Sequence, residues 1–180
     1  DVTFSGLFNT SNENQRQLGY FNKAEATSFP LDEGLILSSG YVVTAEGPNS
    51  SGSAGNDLGG AGDSDLNALS GYTTHDAAVL EFDFIPAGNT LEFQFIFASD
   101  EYLEFCCTQY NDVFGFFLSG TDIPGGTVNL AVLPGTTTPI TVNQIHSYVA
   151  DNYYHNSCTA ANASYYINNP SGSSITQYDG

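Results

Sequence analysis

Apolar and polar residues alternate over two stretches near the middle of the chain, residues 78–86 and 90–99. A period of two residues is typical of a β-strand that buries one face. The turn-forming sequence PAGN separates the two stretches, and we therefore predict a hairpin with one buried face. The side chains predicted to point inward are Leu80, Phe82, Phe84, Leu91, Phe93, Phe95 and Phe97.

Short strand-like segments with turn signals continue on both sides of this hairpin. They are residues 1–8, two strands within 34–45 around a turn at Gly40, residues 113–120, a second hairpin over 127–145 and a last strand over 174–179. Residues 65–69 predict one helical turn with Asp65 as its N-cap. Many short strands predict an all-β fold, an antiparallel β-sandwich of jelly-roll-like form with long loops. A length of 180 residues suits one domain, 1–180.

Charge changes this picture, because the chain carries 20 acidic residues and only two basic ones. The formal net charge of -18 disfavours binding to nucleic acid and to anionic membranes. No apolar run is long enough to span a bilayer. We expect an extracellular domain that is one module of a larger protein.

The acidic residues concentrate between residues 57 and 112, where eleven carboxylates and no Lys or Arg occur. Carboxylates that a fold brings together must protonate, find donors or bind a cation. Oxygen ligands suit a hard ion, so we predict Ca²⁺ as the cofactor, although the spacing is not that of an EF-hand. Solubility is the alternative explanation of the acidity. The predicted metal ligands are Asp57, Asp63, Asp65, Asp76, Asp100, Glu101 and Asp112.

Residues 46–64 are rich in Gly, Ser and Asn and have the composition of a flexible linker. Aspartates set among glycines favour another interpretation. Glycine lets backbone carbonyls turn toward an ion, and Asp63 and Asp65, two residues apart, complete its shell. We therefore predict an ordered metal-binding loop.

Three cysteines and a long late loop supply the remaining candidate chemistry. In an extracellular protein a disulfide from Cys106 or Cys107 to Cys158 is plausible, and it would tie the loop to the acidic core. The loop, residues 146–172, alternates tyrosines with asparagines, a composition typical of recognition surfaces. Packing of the loop against the sandwich is an equally good explanation of these tyrosines. The candidate ligand-binding residues are Tyr153, Tyr154, Tyr165 and Tyr166.

Five segments in order resemble the bacterial choice-of-anchor L domain: GLILSSG, GDSDLNAL, DAAVLEFDFIP, FQFIFASDEYLEF and YNDVFGFFLSG. The resemblance covers residues 18–142 and, weakly, the terminal QYDG. It implies a secreted or surface-attached module without a settled biochemical activity. The residues that match the family's acidic positions are Asp63, Asp65, Asp76, Asp100, Glu101 and Asp112.

Binding is the function class that we predict, rather than catalysis. Adjacent carboxylates such as Asp100 and Glu101 point to opposite faces of a strand and are a poor acid–base pair. No G-x-S-x-G elbow supports a serine nucleophile. We expect a calcium-stabilised adhesion module that recognises a glycan or peptide. The alternative is a structural subunit of an extracellular fibre or biofilm matrix, in which copies of the chain assemble by strand exchange.

Overall fold

The computed structural model describes residues 2–8, 10–23 and 28–180, and in these residues short strands predominate. One α-helix, α1 (Ser64–Ser70), lies between the third and fourth strands. Single 3₁₀ turns occur at Glu13–Gln15, Val42–Ala45, Val142–Gln144 and Ala163–Tyr165. The strands are β1 (Val2–Ser5), β2 (Leu18–Asn22), β3 (Glu33–Leu37), β4 (Val79–Phe82), β5 (Val113–Phe114), β6 (Phe117–Ser119), β7 (Thr127–Asn129) and β8 (Ile140–Thr141).

The strands pair into four separate two-stranded sheets, and every pair is antiparallel. β1 pairs with β4, β2 with β3, β5 with β8 and β6 with β7. None of these sheets closes into a barrel within the described residues. The architecture agrees with the all-β prediction at the level of fold class.

The predicted hairpin over residues 78–99 is wrong. β4 forms, but its partner is β1, with Val2 opposite Phe82. Residues 90–99 form no strand. The predicted strand over 1–8 forms as β1, although residue 1 lies outside the described residues. β1 is the partner of β4, in place of the stretch after the PAGN turn. β4 therefore pairs with a strand that is distant in sequence and not with the neighbouring stretch, and hydrophobic periodicity alone does not reveal the partner of a strand.

The aromatic side chains of 90–99 therefore lie against a different part of the chain from the one predicted. Phe93 packs on Phe116 at a ring-centroid distance of 4.4 Å, and Phe95 packs on Phe114 at 5.0 Å. The predicted inward face also stays open to solvent, because Phe93 and Phe95 are 44% and 43% exposed. Of the predicted inward set, Phe97 packs against the buried core.

Three smaller boundaries also differ from the prediction. Of the two strands predicted within 34–45, only the one before Gly40 forms, as β3, and Val42–Ala45 is a 3₁₀ turn. The second hairpin is reduced to an isolated bridge between Val132 and Pro139. The last stretch, 174–179, forms no strand and contributes one bridge, between Glu46 and Thr176.

The buried core lies in the second half of the chain. It consists of two clusters of apolar side chains, and both Phe97 and Tyr166 pack against each cluster. Each fully buried apolar side chain of this kind contributes about 1.5–3 kcal/mol to folding. The core therefore holds the segments around residues 100–112 and 140–166 in fixed positions. Its buried members are Tyr102, Cys106, Ala131, Leu133, Ile140, Val142, Ile145, Val149 and Cys158.

Candidate metal and ligand site

The chain end lies beside the segment that begins at Ser99. The Ser99 amide donates to the carbonyl of Gly180 at 3.0 Å, and the Asp179 amide donates to the carbonyl of Ser99 at 3.2 Å. The Ser99 hydroxyl in turn donates to Oδ2 of Asp112 at 2.8 Å. This pairing brings Asp179 next to Asp100. Four carboxylates, three from the segment 100–112 and one from the chain end, therefore lie close together: those of Asp100, Glu101, Asp112 and Asp179. We call these four residues the acid cluster.

Two buried asparagines fix the chain end against the rest of the molecule. Asn49 donates through Nδ2 to Oδ1 of Asp179 at 2.8 Å and to the carbonyl of Asn169 at 2.7 Å. Asn169 donates to the carbonyl of Tyr178 at 2.6 Å. Both side chains are at least nine-tenths buried. Their amide nitrogens are used in these bonds, while the side-chain oxygens of both have no hydrogen-bond partner in the described residues.

Several oxygens of the acid cluster are shielded from water and have no hydrogen-bond donor among the described residues. They are both carboxylate oxygens of Asp100, Oε2 of Glu101 and Oδ2 of Asp179. A carboxylate oxygen without a donor in such a place costs several kcal/mol unless it protonates or meets a cation. No Lys or Arg lies beyond residue 23 to supply that cation.

The pKa values of the cluster reflect this shortage of donors. Burial raises the pKa of Asp100 to about 6, and the charges of Asp179, Asp112 and Glu104 add to the shift. The backbone of Ala54 offsets part of it without forming a hydrogen bond of good geometry. Burial raises the pKa of Glu101 to about 7, with further increments from Asp112, Asp100 and Glu104.

The pKa values of the other two members of the cluster, Asp112 and Asp179, are also raised. Burial raises the pKa of Asp112, and the hydrogen bond from Ser99 offsets part of the effect. Burial also raises the pKa of Asp179, and Asn49 offsets it in part. Asp112 is surrounded by protein atoms on most sides, yet its side chain keeps solvent-exposed surface.

Part of the Gly/Ser-rich segment lies directly over the cluster. A methyl group placed on Gly52 would lie 3.2 Å from Oε1 of Glu104 and 3.4 Å from Oδ2 of Asp179. Gly52, Ser53 and Gly55 line a cavity of about 340 Å³ together with residues of the acid cluster. This volume is in the range of small-molecule sites, about 300–1,000 Å³.

Aromatic rings form another part of the wall of this cavity. Phe105 stacks on Tyr153 with ring centroids 4.9 Å apart and an interplanar angle of 30°. Tyr110 meets the Phe105 ring edge-on at 5.1 Å. Both tyrosines and Phe105 line the cavity together with Asp100 and Glu101. The cavity therefore combines flat apolar faces with carboxylates, and we call it the aromatic–acid cavity.

The other predicted metal ligands lie in a second acidic region, residues 57–76, where backbone amides bind the carboxylates. Asp63 is the N-cap of α1 and accepts from the amides of Asp65 and Leu66 at 2.8 and 3.0 Å. The predicted cap at Asp65 is wrong, because the helix begins one residue earlier, at Ser64, and Asp65 lies exposed in its first turn. Asp57 accepts from the amide of Gly59 at 2.9 Å and is exposed.

Asp76 has the most complete set of donors in that region. Its carboxylate accepts from the amide of Leu58 at 2.9 Å and from the amide of Gly60. The residue is buried and has a φ of 53°, a backbone conformation that Asp adopts more readily than most side chains. A methyl group on Gly62 would lie 1.9 Å from the carbonyl of Thr74. The glycines thus allow two backbone segments to approach closely.

The four candidate tyrosines divide between two environments. Tyr153 lines the aromatic–acid cavity. The ring of Tyr154 meets the ring of Tyr153 edge-on, with the two centroids 5.1 Å apart. Tyr166 packs on buried Tyr102 with ring centroids 4.9 Å apart, and Tyr165 is half exposed. Packing against the core therefore accounts for Tyr166, and a role of Tyr153 and Tyr154 in recognition stays a prediction.

A disulfide joins Cys107 to Cys158 across a sequence separation of 51 residues. The alternative left open by the sequence, a bond from Cys106, is not the one formed. Cys106 is a buried free thiol, and burial raises its pKa to about 12, with a smaller contribution from Glu104. As the sequence predicted, the bond ties the late loop to the acidic core, and the amide of Tyr153 adds a hydrogen bond to the carbonyl of Glu104 at 2.6 Å.

Side-chain ligand atoms of three His, Cys, Asp or Glu residues converge within 4.8 Å of one another at one place in the described residues. That place is Cys107, His146 and Cys158, and no three carboxylates there are so close. The carboxylates of the acid cluster are thus close enough to raise one another's pKa values, but no three of them have oxygens within 4.8 Å of one another in the described residues.

Sequence reasoning missed the members of the site that lie far from the acidic stretch. The sequence pattern places Asp179 only in a terminal strand and assigns neither Asn49 nor Asn169 to a metal or ligand site. Phe105 and Tyr110 lie next to the predicted ligands in sequence, but nothing in their spacing indicates a cavity wall. The usable signal is the isolated Asp in the terminal QYDG, since that segment belongs to the family resemblance.

These features describe an antiparallel all-β module with an acidic, aromatic-lined cavity. All 180 residues, 1–180, match the family model of the choice-of-anchor L domain, and the chain therefore belongs to that family. The match extends beyond the 18–142 range in which the resemblance was recognised. Searches of curated proteins and of solved structures returned no match.

Membership places the chain among the modules of secreted or surface proteins of bacteria, a non-enzymatic class. Across the described residues, α1 and the 3₁₀ turns are all too short or too polar to span a bilayer as helices.

Proposed function

We propose that the protein is a calcium-stabilised extracellular binding module whose ligand is a glycan held in the aromatic–acid cavity. The observation that supports it best is the set of shielded carboxylate oxygens without donors in Asp100, Glu101 and Asp179. An ion at these oxygens would remove the cost of their burial and would order the loops that line the cavity.

Calcium is the ion that suits these donors. Ca²⁺ takes about 6–8 oxygen ligands in flexible geometry. The shielded oxygens without partners include the amide oxygens of Asn49 and Asn169 as well as the carboxylates. Neutral amide and charged carboxylate oxygens are the mixture that calcium sites use, and no nitrogen or sulfur donor competes among them. Binding would draw the oxygens together, which accounts for a cluster that is open without its ion.

A glycan suits the rest of the cavity. Sugar rings present flat C–H faces that pack on aromatic side chains, and their hydroxyls bond to carboxylates and to calcium. The stacked pair of Phe105 and Tyr153 supplies the faces, and Asp100 and Glu101 supply the acceptors. A peptide is the second ligand class, and the same aromatic surface would contact its side chains.

Isothermal titration with Ca²⁺ tests the metal part of the proposal. Asp179→Asn removes a charge from the acid cluster, and we expect it to weaken calcium binding by at least about tenfold, or 1.4 kcal/mol. The matched control is Asp122→Asn, which removes the same charge from an exposed turn and is expected to leave the titration unchanged. Equal curves for the two variants would contradict the assignment.

Glycan and peptide arrays probed in calcium, and again in chelator, test the ligand part. We expect binding to glycans that requires calcium and that Tyr153→Ala abolishes. Tyr165→Ala is the control, because Tyr165 is similarly exposed but does not line the cavity. Binding only to peptides would replace the glycan proposal, and binding that ignores Tyr153 would place the ligand elsewhere.

A second calcium ion stays a prediction for the region 57–76. Its predicted ligands are Asp57, Asp63, Asp65 and Asp76. Three of their carboxylates accept backbone hydrogen bonds, so a cation there would compete with donors that are present. A second binding step in the calcium titration, absent from the Asp63→Asn variant, would support the prediction of a second ion.

We also propose that the calcium-bound chain completes the jelly-roll-like sandwich that the sequence pattern predicts. The antiparallel pairing of all four ladders and the alternation over 90–99 support this. The expected result is a gain of strand signal in circular dichroism on adding calcium. An unchanged spectrum would count against it.

Self-assembly is the second candidate function, and one observation favours it. Residues 90–99 are extended in pattern but lack a ladder partner, and their aromatic side chains are partly exposed. Such a segment can accept a strand from another copy of the chain. Analytical ultracentrifugation at increasing concentration would then show polymers that an Ile96→Lys variant does not form. A monomer at all concentrations would exclude this alternative.

A further inference from the structure

A second group of possible metal ligands consists of the two disulfide-bonded cysteines and a buried histidine. The Sγ atoms of Cys107 and Cys158 and a ring nitrogen of His146 all lie within 4.8 Å of one another. Nε2 of His146 is 3.5 Å from Sγ of Cys158. In a tetrahedral zinc site, bond lengths of about 2.3 Å to sulfur and 2.0–2.1 Å to nitrogen place those two atoms about 3.5 Å apart. The observed distance already has that value.

The histidine is also held in the tautomer that a metal needs. Nδ1 of His146 lies 2.8 Å from the carbonyl oxygen of Ser147. A carbonyl only accepts, so Nδ1 carries the proton and Nε2 keeps its lone pair. Sγ of Cys158 lies 3.5 Å from Nε2 and 3.9 Å from Nδ1, beside the ring rather than on the axis of that lone pair. A ring N–H bound to a backbone carbonyl is the usual support behind a metal-binding histidine. His146 is fully buried. Within the described residues, its ring makes polar contacts only with the carbonyl of Ser147 and with Cys158.

The backbone fixes the positions of the ligands independently of the disulfide. His146 exchanges two hydrogen bonds with Ala161, at 2.8 and 3.1 Å, and Cys158 exchanges two with Val149, at 3.0 and 2.8 Å. The amide of Cys107 donates to Oδ1 of Asn143 at 2.6 Å. These bonds remain when the sulfur–sulfur bond opens, so the three side chains stay close together.

We propose that the chain binds one zinc-like divalent ion through Cys107, His146 and Cys158 when its disulfide is reduced. A dithiol reductant transfers two electrons and two protons to the two sulfurs and closes to its own disulfide. The ion then displaces both thiol protons to solvent and binds two thiolates and Nε2. Cys107 is exposed, so water completes the fourth position from that side.

The metal and the disulfide exclude each other, because both use the same two sulfurs. The oxidised chain therefore has no such site, and the reduced chain keeps the late loop attached to the acidic core through the ion. Cys106 takes no part, since it lies outside the group of three. The site is independent of the proposed calcium function, because it shares no ligand with the acid cluster.

Cobalt(II) is the probe for this site, since it replaces zinc and shows thiolate charge-transfer and tetrahedral absorption bands. The full chain is reduced with a dithiol, freed of reductant without air and titrated with Co²⁺. We expect both bands to saturate at one ion per chain, to disappear on adding Zn²⁺, and to be absent from the oxidised protein. No thiolate band in the reduced protein would overturn the proposal.

Variants separate the three ligands from the other cysteine and histidines. We expect His146→Gln and Cys107→Ser each to lose the tetrahedral bands, and His155→Gln, at an exposed histidine, to keep them. Cys107→Ser changes an exposed side chain and keeps the test valid if His146→Gln does not fold. Bands that persist in Cys107→Ser, or that depend on Cys106 rather than on His146, would overturn the assignment.

Discussion

The second acidic region, residues 57–76, and the acid cluster have similar compositions but opposite hydrogen-bonding environments. In the region 57–76, Asp57, Asp63 and Asp76 each accept from backbone amides of nearby residues. In the acid cluster, Asp100 and Glu101 have raised pKa values and shielded oxygens that meet no donor in the part of the chain that the structure describes. The comparison indicates that the supply of donors, rather than the density of carboxylates, decides which aspartates build the fold and which need a cation.

Asp76→Ala should cause the largest loss of folding stability, and this loss should not depend on calcium. The change leaves the amides of Leu58 and Gly60 without their acceptor and puts a residue less suited to positive φ at position 76. We expect a loss of about 2–4 kcal/mol in the free energy of unfolding, measured by denaturant titration in chelator. Asp57→Ala, at an exposed position with one local bond, is the control. A loss seen only in calcium would mean that Asp76 binds metal instead.

The acid cluster should make the stability of the protein depend on pH. Glu101 has a pKa of about 7 in the folded protein against 4.5 unperturbed, so the folded state holds a proton that the unfolded state releases. Its stabilising contribution is complete below pH 4.5 and is lost as the pH rises through about 7. In chelator, we expect Glu101→Gln to gain stability over the native chain steadily across this window. A gap between the two melting temperatures that stays constant with pH would show that Glu101 ionises normally.

Asp63→Ala should have the smallest of the three effects. The change removes the acceptor for the amides of Asp65 and Leu66 at the start of α1. Loss of an N-cap costs about 1 kcal/mol, and thermal melts in chelator would measure it. Asp63→Ser, which also caps, is expected to recover most of the loss. A large calcium-dependent loss would instead favour the second ion predicted for this region.

The sequence predicted well those features that depend on neighbouring residues. The all-β class, the helical turn near residue 65 and the tie between the late loop and the acidic core follow from local pattern and from cysteine chemistry. The predicted N-cap, Asp65, lies two residues after the observed one, Asp63. Both are good capping residues, and only the first-turn geometry separates them.

Features that depend on distant partners could not be predicted in the same way. The alternation of 90–99 does not reveal that β4 pairs with β1, nor that the phenylalanines lie against residues 114–116. Asp179 joins the acid cluster because the chain end pairs with Ser99. His146 meets Cys158 because a bridge to Ala161 and another from Val149 align them. None of these pairings has a periodic signal in the chain.

Calorimetric melting of the protein, once with Ca²⁺ and once with chelator, tests most directly whether the acid cluster binds calcium. An ion that binds only the folded state stabilises it by about 2.7 kcal/mol at a hundred times its dissociation constant. We expect a rise of many degrees in the native chain and in Asp122→Asn, and little rise in Asp179→Asn. Identical melts with calcium and with chelator would contradict the account and would leave the acidity as a solubility feature.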